Sequence, residues 1–124
     1  MNWPRAVVGL GLGFLAALMP RAHAAPDNTR GMALMGAYIG SDGAFRSGSG
    51  VIANYKLATG DYQVLFDRNI SECIVSATPV SLGDRRSATV YVPPGNPASV
   101  EVVTWDSAGA VSDTPFYLFV FCSK

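Results

Sequence analysis

After its first 24 residues, the chain contains no segment of useful length with the apolar period of a helix. Its apolar residues instead fall in short bursts or alternate, and clusters of Gly, Pro, Asn, Asp and Ser separate these bursts. Tyr62, Val64 and Phe66, for example, occupy every second position of one burst. Alternation of this kind is typical of half-buried strands, so the pattern predicts an all-β domain.

Counting the bursts gives about seven or eight short strands. Strong turn signals lie between them, above all the Pro-Pro-Gly-Asn-Pro run that ends one strand, because proline cannot donate to a ladder. The number and spacing predict a small antiparallel β-sandwich, jelly-roll or immunoglobulin-like, or a small barrel. The expected strands are 32–39, 51–57, 62–66, 73–77, 88–92, 100–105 and 116–122, with turns at 41–43, 47–50, 59–60, 83–86, 93–97 and 107–109.

The first 24 residues resemble a secretory leader. A weakly positive start precedes an apolar run over 6–19, and Ala22-His23-Ala24 has the small-x-small pattern that a signal peptidase accepts. The run is too short to span a bilayer comfortably, which needs roughly 20 apolar residues. We therefore expect a cleaved signal peptide over 1–24, a loose lead-in over 25–31, one β-sandwich domain over 32–124, and no transmembrane segment after cleavage.

Removal of the leader changes the chemistry of the chain. It takes His23, the only histidine, together with Arg5 and Arg21, so that seven basic and nine acidic residues remain and the formal net charge is −2. No basic patch is left, which argues against nucleic acid as a partner. Export predicts a periplasmic or secreted protein, in a compartment where disulfides persist.

Cys73 and Cys122 are the only cysteines. In an exported chain the natural expectation is one structural disulfide between them, which would tie the last strand to the middle of the fold. A redox pair is disfavoured, because the C-x-x-C spacing is absent. Closing a loop of this length contributes about 4 kcal/mol in the chain-entropy model.

The last strand is unusual because it is apolar on both faces. Phe116, Leu118 and Val120 share one face with Cys122, and aromatic residues occupy the other. Two explanations stay open. The strand is central and covered on both faces, in part by 32–39, or its aromatic face is a subunit or partner interface. The candidate interface residues are Tyr117, Phe119 and Phe121.

Few catalytic chemistries are open to a chain without histidine. Triads with an imidazole base and zinc sites with histidine ligands are excluded, and no nucleophile elbow or phosphate-binding loop is present. Carboxylates remain as candidates for acid–base hydrolysis or a calcium site, without motif support. We predict no catalytic residue, no metal and no cofactor. The candidate carboxylates are Asp61, Asp67 and Glu72 in one group and Asp106 and Asp113 in another.

Two resemblances accompany these patterns. The run T-G-x-Y-x-V-x-F over 59–66, followed by Cys73 and then Ala77-Thr78, resembles a β-rich module of exported bacterial proteins of unknown function. That likeness implies the fold and the disulfide and brings no catalytic residues. Ser47-Gly48-Ser49-Gly50 is similar to the first motif of small periplasmic lysozyme inhibitors, whereas the second motif of that family is missing.

The expected function is therefore a non-enzymatic binding or structural module of the cell envelope or the extracellular space. Its partner would be a protein or an envelope component, and a homo-oligomer is expected if the aromatic strand is an interface. The alternatives are a periplasmic inhibitor of lysozyme-type enzymes and a hydrolase that uses carboxylates alone.

Overall fold

The computed structural model describes residues 31–80 and 83–124, and all regular structure in these ranges is β-strand. The all-β prediction is confirmed. The predicted signal peptide and most of the lead-in lie outside the described residues. The strands are β1 (Ala33–Ile39), β2 (Phe45–Ser49), β3 (Val51–Ala58), β4 (Asp61–Phe66), β5 (Ile74–Pro79), β6 (Ser87–Tyr91), β7 (Ser99–Trp105) and β8 (Phe116–Cys122).

The strands form two antiparallel sheets of four strands each. The first sheet has the order β2-β1-β8-β5 and the second has the order β3-β4-β7-β6. Every pairing is antiparallel. The sandwich, not the barrel, is thus the arrangement this sequence adopts, and the last strand lies in the interior of the first sheet.

The core lies between the two sheets and follows directly from the alternation in the sequence. Tyr62, Val64 and Phe66 point inward from β4 and are fully or almost fully buried. On the facing sheet, Phe116 and its neighbours at every second position of β8 are buried too. The rings of Tyr62 and Phe116 meet across the interior with their centroids 5.0 Å apart.

A disulfide joins Cys73 to Cys122, as predicted. Cys73 lies immediately before β5, and Ile74 pairs with Phe121 of β8, so the bridge links two neighbouring antiparallel strands. Its Cα atoms are 4.4 Å apart and the cysteines are 49 residues apart in sequence. Cys122 is buried at the end of the core.

One strand departs from the sequence prediction. Ser47, Gly48 and Ser49 are not a flexible turn but belong to β2, where they pair with β1. The Gly48 backbone lies so close to β1 that an added Cβ would come 2.2 Å from the carbonyl oxygen of Gly36. Small residues that resemble a turn in the sequence therefore allow a close strand pairing. Among the described residues there is no helix that could span a membrane.

Candidate functional site

The candidate site is the outer face of the first sheet, and β8 forms its centre. Strand alternation sends Phe116, Leu118 and Val120 into the core, so the intervening side chains point outward. Tyr117 and Phe119 expose 51% and 54% of their surface, and Phe121 is half-buried. The three aromatic residues predicted as an interface therefore share the outer face of the sheet.

The expectation that β8 is covered on both faces is wrong. β1, which takes up most of the segment expected to cover it, lies beside β8 in the same sheet and hydrogen-bonds to its edge. β5 occupies the other edge in the same way. A neighbour in the plane of a sheet satisfies backbone groups but leaves the face of the central strand open, which is why Tyr117 and Phe119 are exposed.

Strand register places three further residues beside these aromatic ones. Leu34 and Ile74 lie opposite Phe121 from the two flanking strands, and they are 61% and 68% exposed. Tyr38 lies opposite Tyr117, and the two rings contact each other with centroids 5.0 Å apart at an interplanar angle of 42°. We call this set the aromatic face; its members are Leu34, Tyr38, Ile74, Tyr117, Phe119 and Phe121.

The side chains at the centre of the aromatic face differ in height above the sheet. Phe119 lies between Gly36 on β1 and Ser76 on β5, its register partners. Neither neighbour has a side chain comparable in size to a phenyl ring. Phe119 is therefore expected to project as a ridge with a trough on each side. The Gly36 trough lies between Leu34 and Tyr38 on β1, and the Ser76 trough lies between Ile74 and Thr78 on β5.

The aromatic face carries no charge. None of the residues of β1, β5 and β8 is Asp, Glu, Lys or Arg. Leu34, Ile74, Tyr117 and Phe119 are each more than half exposed, and Tyr38 and Phe121 are half-buried. Together the six residues present roughly 500–600 Å² of mostly apolar surface. That is at the upper end of the patches of about 300–600 Å² that monomeric proteins expose, and such patches are often functional.

The outer face of the second sheet has a different chemistry. Asp61 on β4 and Glu101 on β7 interact there, and Tyr91 on β6 donates a hydrogen bond to Glu101 Oε1 over 2.7 Å. Burial, and then the hydrogen bond and the repulsion that Glu101 supplies, raise the pKa of Asp61 to about 6. Because the pair is 40 residues apart in sequence, only the β4–β7 register brings it together.

The other carboxylates singled out in the sequence have local structural partners. Asp113 accepts a hydrogen bond from the Gly60 amide over 2.7 Å and lies 3.2 Å from Lys56 Nζ. The Gly60 hydrogen bond is the main cause that lowers the pKa of Asp113. Glu72 pairs with the side chain of Lys124 on the surface, and Asp106 accepts from the amides of its own turn. Asp67 directly follows β4.

Neither the metal hypothesis nor the acid–base hypothesis gains a site from this placement. No group of three or more His, Cys, Asp or Glu residues within 31–80 and 83–124 is arranged to hold a metal ion. A depression of about 170 Å³ beside β3 is lined by Phe45, Val51, Ile52, Ala53 and Asn54, none of which titrates. Burial and Glu101 raise the pKa of Asp61 on the outer face of the second sheet, but neither Asp61 nor Glu101 lines this depression.

Comparisons with protein-family models, with curated proteins and with solved structures find no match to this chain. The two resemblances drawn from the sequence therefore remain expectations. Among the surfaces of the described residues, the aromatic face is the most distinctive.

Proposed function

We propose that this chain is a non-enzymatic, exported binding module and that the aromatic face is its binding surface. One observation carries the proposal: three adjacent strands present a continuous, uncharged set of aromatic and aliphatic side chains to solvent. Leaving such a surface in water is unfavourable by about 25 cal/mol for each Å². A partner that covers it removes this cost.

Two further features support a binding role over a catalytic one. The side chains of the aromatic face lack a nucleophile with a neighbouring base, whereas aromatic residues are enriched where proteins meet partners. The face also lies on three hydrogen-bonded strands, and the Cys73–Cys122 disulfide links two of them, β5 and β8. A rigid surface of this kind loses little conformational entropy when it binds.

Site-specific photo-crosslinking in the source organism tests the proposal. A photoreactive phenylalanine analogue would replace Phe119 in one version of the chain and Tyr55 in another. Tyr55 is the matched control, because it is 53% exposed, lies on a strand of the other sheet, and is also aromatic. We expect crosslinked products from position 119 and few from position 55.

The same experiment can refute the proposal. If position 119 yields no product above the level of position 55, in cells that export the folded protein, the aromatic face is not a binding surface. Trapped partners would be identified by mass spectrometry of the crosslinked peptides. A crosslink to a second copy of this chain counts as a trapped partner, in the same way as a crosslink to a different protein.

The inhibitor alternative rests on Ser47-Gly48-Ser49-Gly50. The first three of these residues lie on β2, an edge strand of the first sheet whose residues are all exposed. An accessible edge is a position from which an inhibitor can contact an enzyme. Measuring lysozyme activity at a stoichiometric amount of the purified chain tests this alternative, and unchanged activity would end it.

A further inference from the structure

The partner of the aromatic face can be inferred from its charge, its relief and its area. We propose that it is a second copy of this chain, and that two copies pack their first sheets face to face around a two-fold axis that passes near Phe119. This inference rests on the proposed function, because it names the occupant of the same surface.

The distribution of charge favours a second copy at this face. A mature chain with nine acidic and seven basic residues repels its own copies weakly. β1, β5 and β8 contribute no charge to the contact, so two copies can meet there without like charges opposing each other. Contact through the second sheet would instead bring two Asp61–Glu101 pairs towards each other.

The lack of charge also argues against other occupants. A different protein is usually selected by complementary charges, which steer the encounter and fix its register. A polysaccharide requires several hydrogen-bonding groups between the aromatic rings, and carboxylates and amides are absent from the outward side chains of β1, β5 and β8. The only polar groups on these outward side chains are hydroxyls, from Tyr38 and Tyr117 of the aromatic face and from Ser76 and Thr78 beside it on β5.

The relief of the aromatic face is self-complementary. A two-fold interface places the same patch on both copies, so every projection must find a recess on an identical surface. The Phe119 ridge is flanked by the Gly36 and Ser76 troughs. A small offset across the two-fold axis seats each Phe119 ring in a trough of the other copy, as side chains of facing sheets interdigitate about 10 Å apart.

The area is sufficient for a specific dimer. With roughly 500–600 Å² from each copy, two aromatic faces would bury about 1,000–1,200 Å² together. This lies at the lower limit for specific interfaces, so we expect a dimer that dissociates on dilution. Its stability would depend on the central ring, because a few buried aromatic residues dominate interfaces of this size.

Sedimentation velocity of the purified mature chain over a wide concentration range tests the dimer. We expect twice the mass of one chain at high concentration and dissociation on dilution. Phe119→Ser should lower the dimer association constant at least tenfold, whereas Tyr55→Ser should leave it unchanged. An unchanged thermal unfolding curve for dilute Phe119→Ser would show that the variant is folded.

A second measurement fixes the geometry. The photoreactive analogue at position 119 of the purified chain should crosslink to β1, β8 or β5 of the other copy, and the analogue at position 55 should give no such product. A wild-type chain that is monomeric at every concentration overturns the dimer, and so does a dimer that Phe119→Ser leaves intact. In either case, crosslinks from position 119 to another protein in cells would preserve the proposed function.

Discussion

Arg68 is a charged residue in an interior otherwise formed mainly by apolar side chains. It is 3% exposed, and its guanidinium donates hydrogen bonds to the carbonyl oxygens of Gly31 and Lys124. These two residues precede β1 and follow β8, so one side chain ties together the ends of two paired strands. Burying a guanidinium is unfavourable unless its donors are used. Here two carbonyls accept from the terminal nitrogens, whereas the buried Nε has no hydrogen-bond partner among the described residues.

The role of Arg68 predicts a large effect of removing its donors. Arg68→Met keeps most of the aliphatic length but leaves two carbonyl groups without a donor, which should destabilise the fold by about 2 kcal/mol. Thermal unfolding should show a fall in Tm of roughly 10 °C for a domain of this size. Arg46→Met is the control. Arg46 is exposed and, within the part of the chain that the structure describes, its ion pair is with Asp42, so its loss should change stability by less than about 0.5 kcal/mol. Equal Tm values for the two variants would contradict the assigned role.

The Asp61–Glu101 pair predicts a pH dependence of stability. Because the pKa of Asp61 is raised to about 6 in the folded chain, the fold binds a proton that the unfolded chain has released. The stabilisation is therefore complete below about pH 4 and is lost as the pH rises through 6. Asp61→Asn cannot ionise, so its stability relative to the wild type should rise between pH 4 and pH 8. A rise in the pKa of Asp61 from 3.8 to about 6 corresponds to about 3 kcal/mol, and solvent screening of this partly exposed group should reduce the gain to about 1 kcal/mol.

Thermal unfolding of both proteins across this pH range measures the difference, and carboxylates common to both cancel. Glu101→Gln should weaken the same dependence, because it removes the charge that repels Asp61, while the contribution of burial remains. Parallel curves of Tm against pH for the wild type and Asp61→Asn would show that Asp61 titrates normally.

At the scale of the strand, Gly36 permits the close approach of β1 and β8. A Cβ added at this position would lie 2.8 Å from the backbone oxygen of Leu118, and backbone cannot move aside as the end of a flexible side chain can. Gly36→Ala should therefore destabilise the first sheet by about 1–3 kcal/mol, as overpacking does elsewhere. Gly95→Ala is the matched control, since nothing lies within 4 Å of its added Cβ. Chemical denaturation of the two variants compares them, and equal stability would refute the close approach.

The strands themselves could largely be predicted from the sequence. Alternation located seven of them, and on β8 it separated the buried residues from the outward aromatic ones. β2 was missed because Ser47, Gly48 and Ser49 have the composition of a turn, and their strand geometry depends on pairing with β1. Local propensity carries no information about a partner strand supplied by another part of the chain.

Only the part of the aromatic face that lies on β8 could be predicted from the sequence. Tyr117, Phe119 and Phe121 are successive outward residues of β8, so their common face follows from period two. Leu34 and Ile74 join them because β1 and β5 flank β8, and a single sequence does not reveal which distant strands become neighbours. For the same reason, the proximity of Asp61 and Glu101 could not be predicted, because it depends on the pairing of β4 with β7.

At the scale of the whole molecule, the two outer faces differ in character. The first sheet presents an uncharged aromatic surface, and the second presents a carboxyl pair with a tyrosine partner. The inner faces of the two sheets do not differ in this way, since both contribute apolar side chains to the core. A sandwich of this kind can thus dedicate one sheet to a partner while the other sheet stays in contact with water.

The disulfide acts on the molecule as a whole, because the loop it closes contains half of the strands, β5 to β8, and both sheets. Constraining 49 residues of the unfolded chain should stabilise the fold by about 4 kcal/mol. We expect reduction to lower Tm by roughly 20 °C. Intact mass after alkylation, with and without prior reduction, would verify that the bond exists. Two thiols that alkylate without reduction would contradict it.

The same bond joins β5 to β8, and these two strands carry four residues of the aromatic face: Ile74, Tyr117, Phe119 and Phe121. Reduction should therefore also weaken the dimer, even at a temperature where the chain stays folded, because Ile74 is no longer held beside Phe121. Sedimentation velocity of the reduced and oxidised chains, with folding monitored by circular dichroism, measures this effect. Folded, reduced chains that associate as strongly as oxidised ones would show that pairing between β5 and β8 alone holds the face in place.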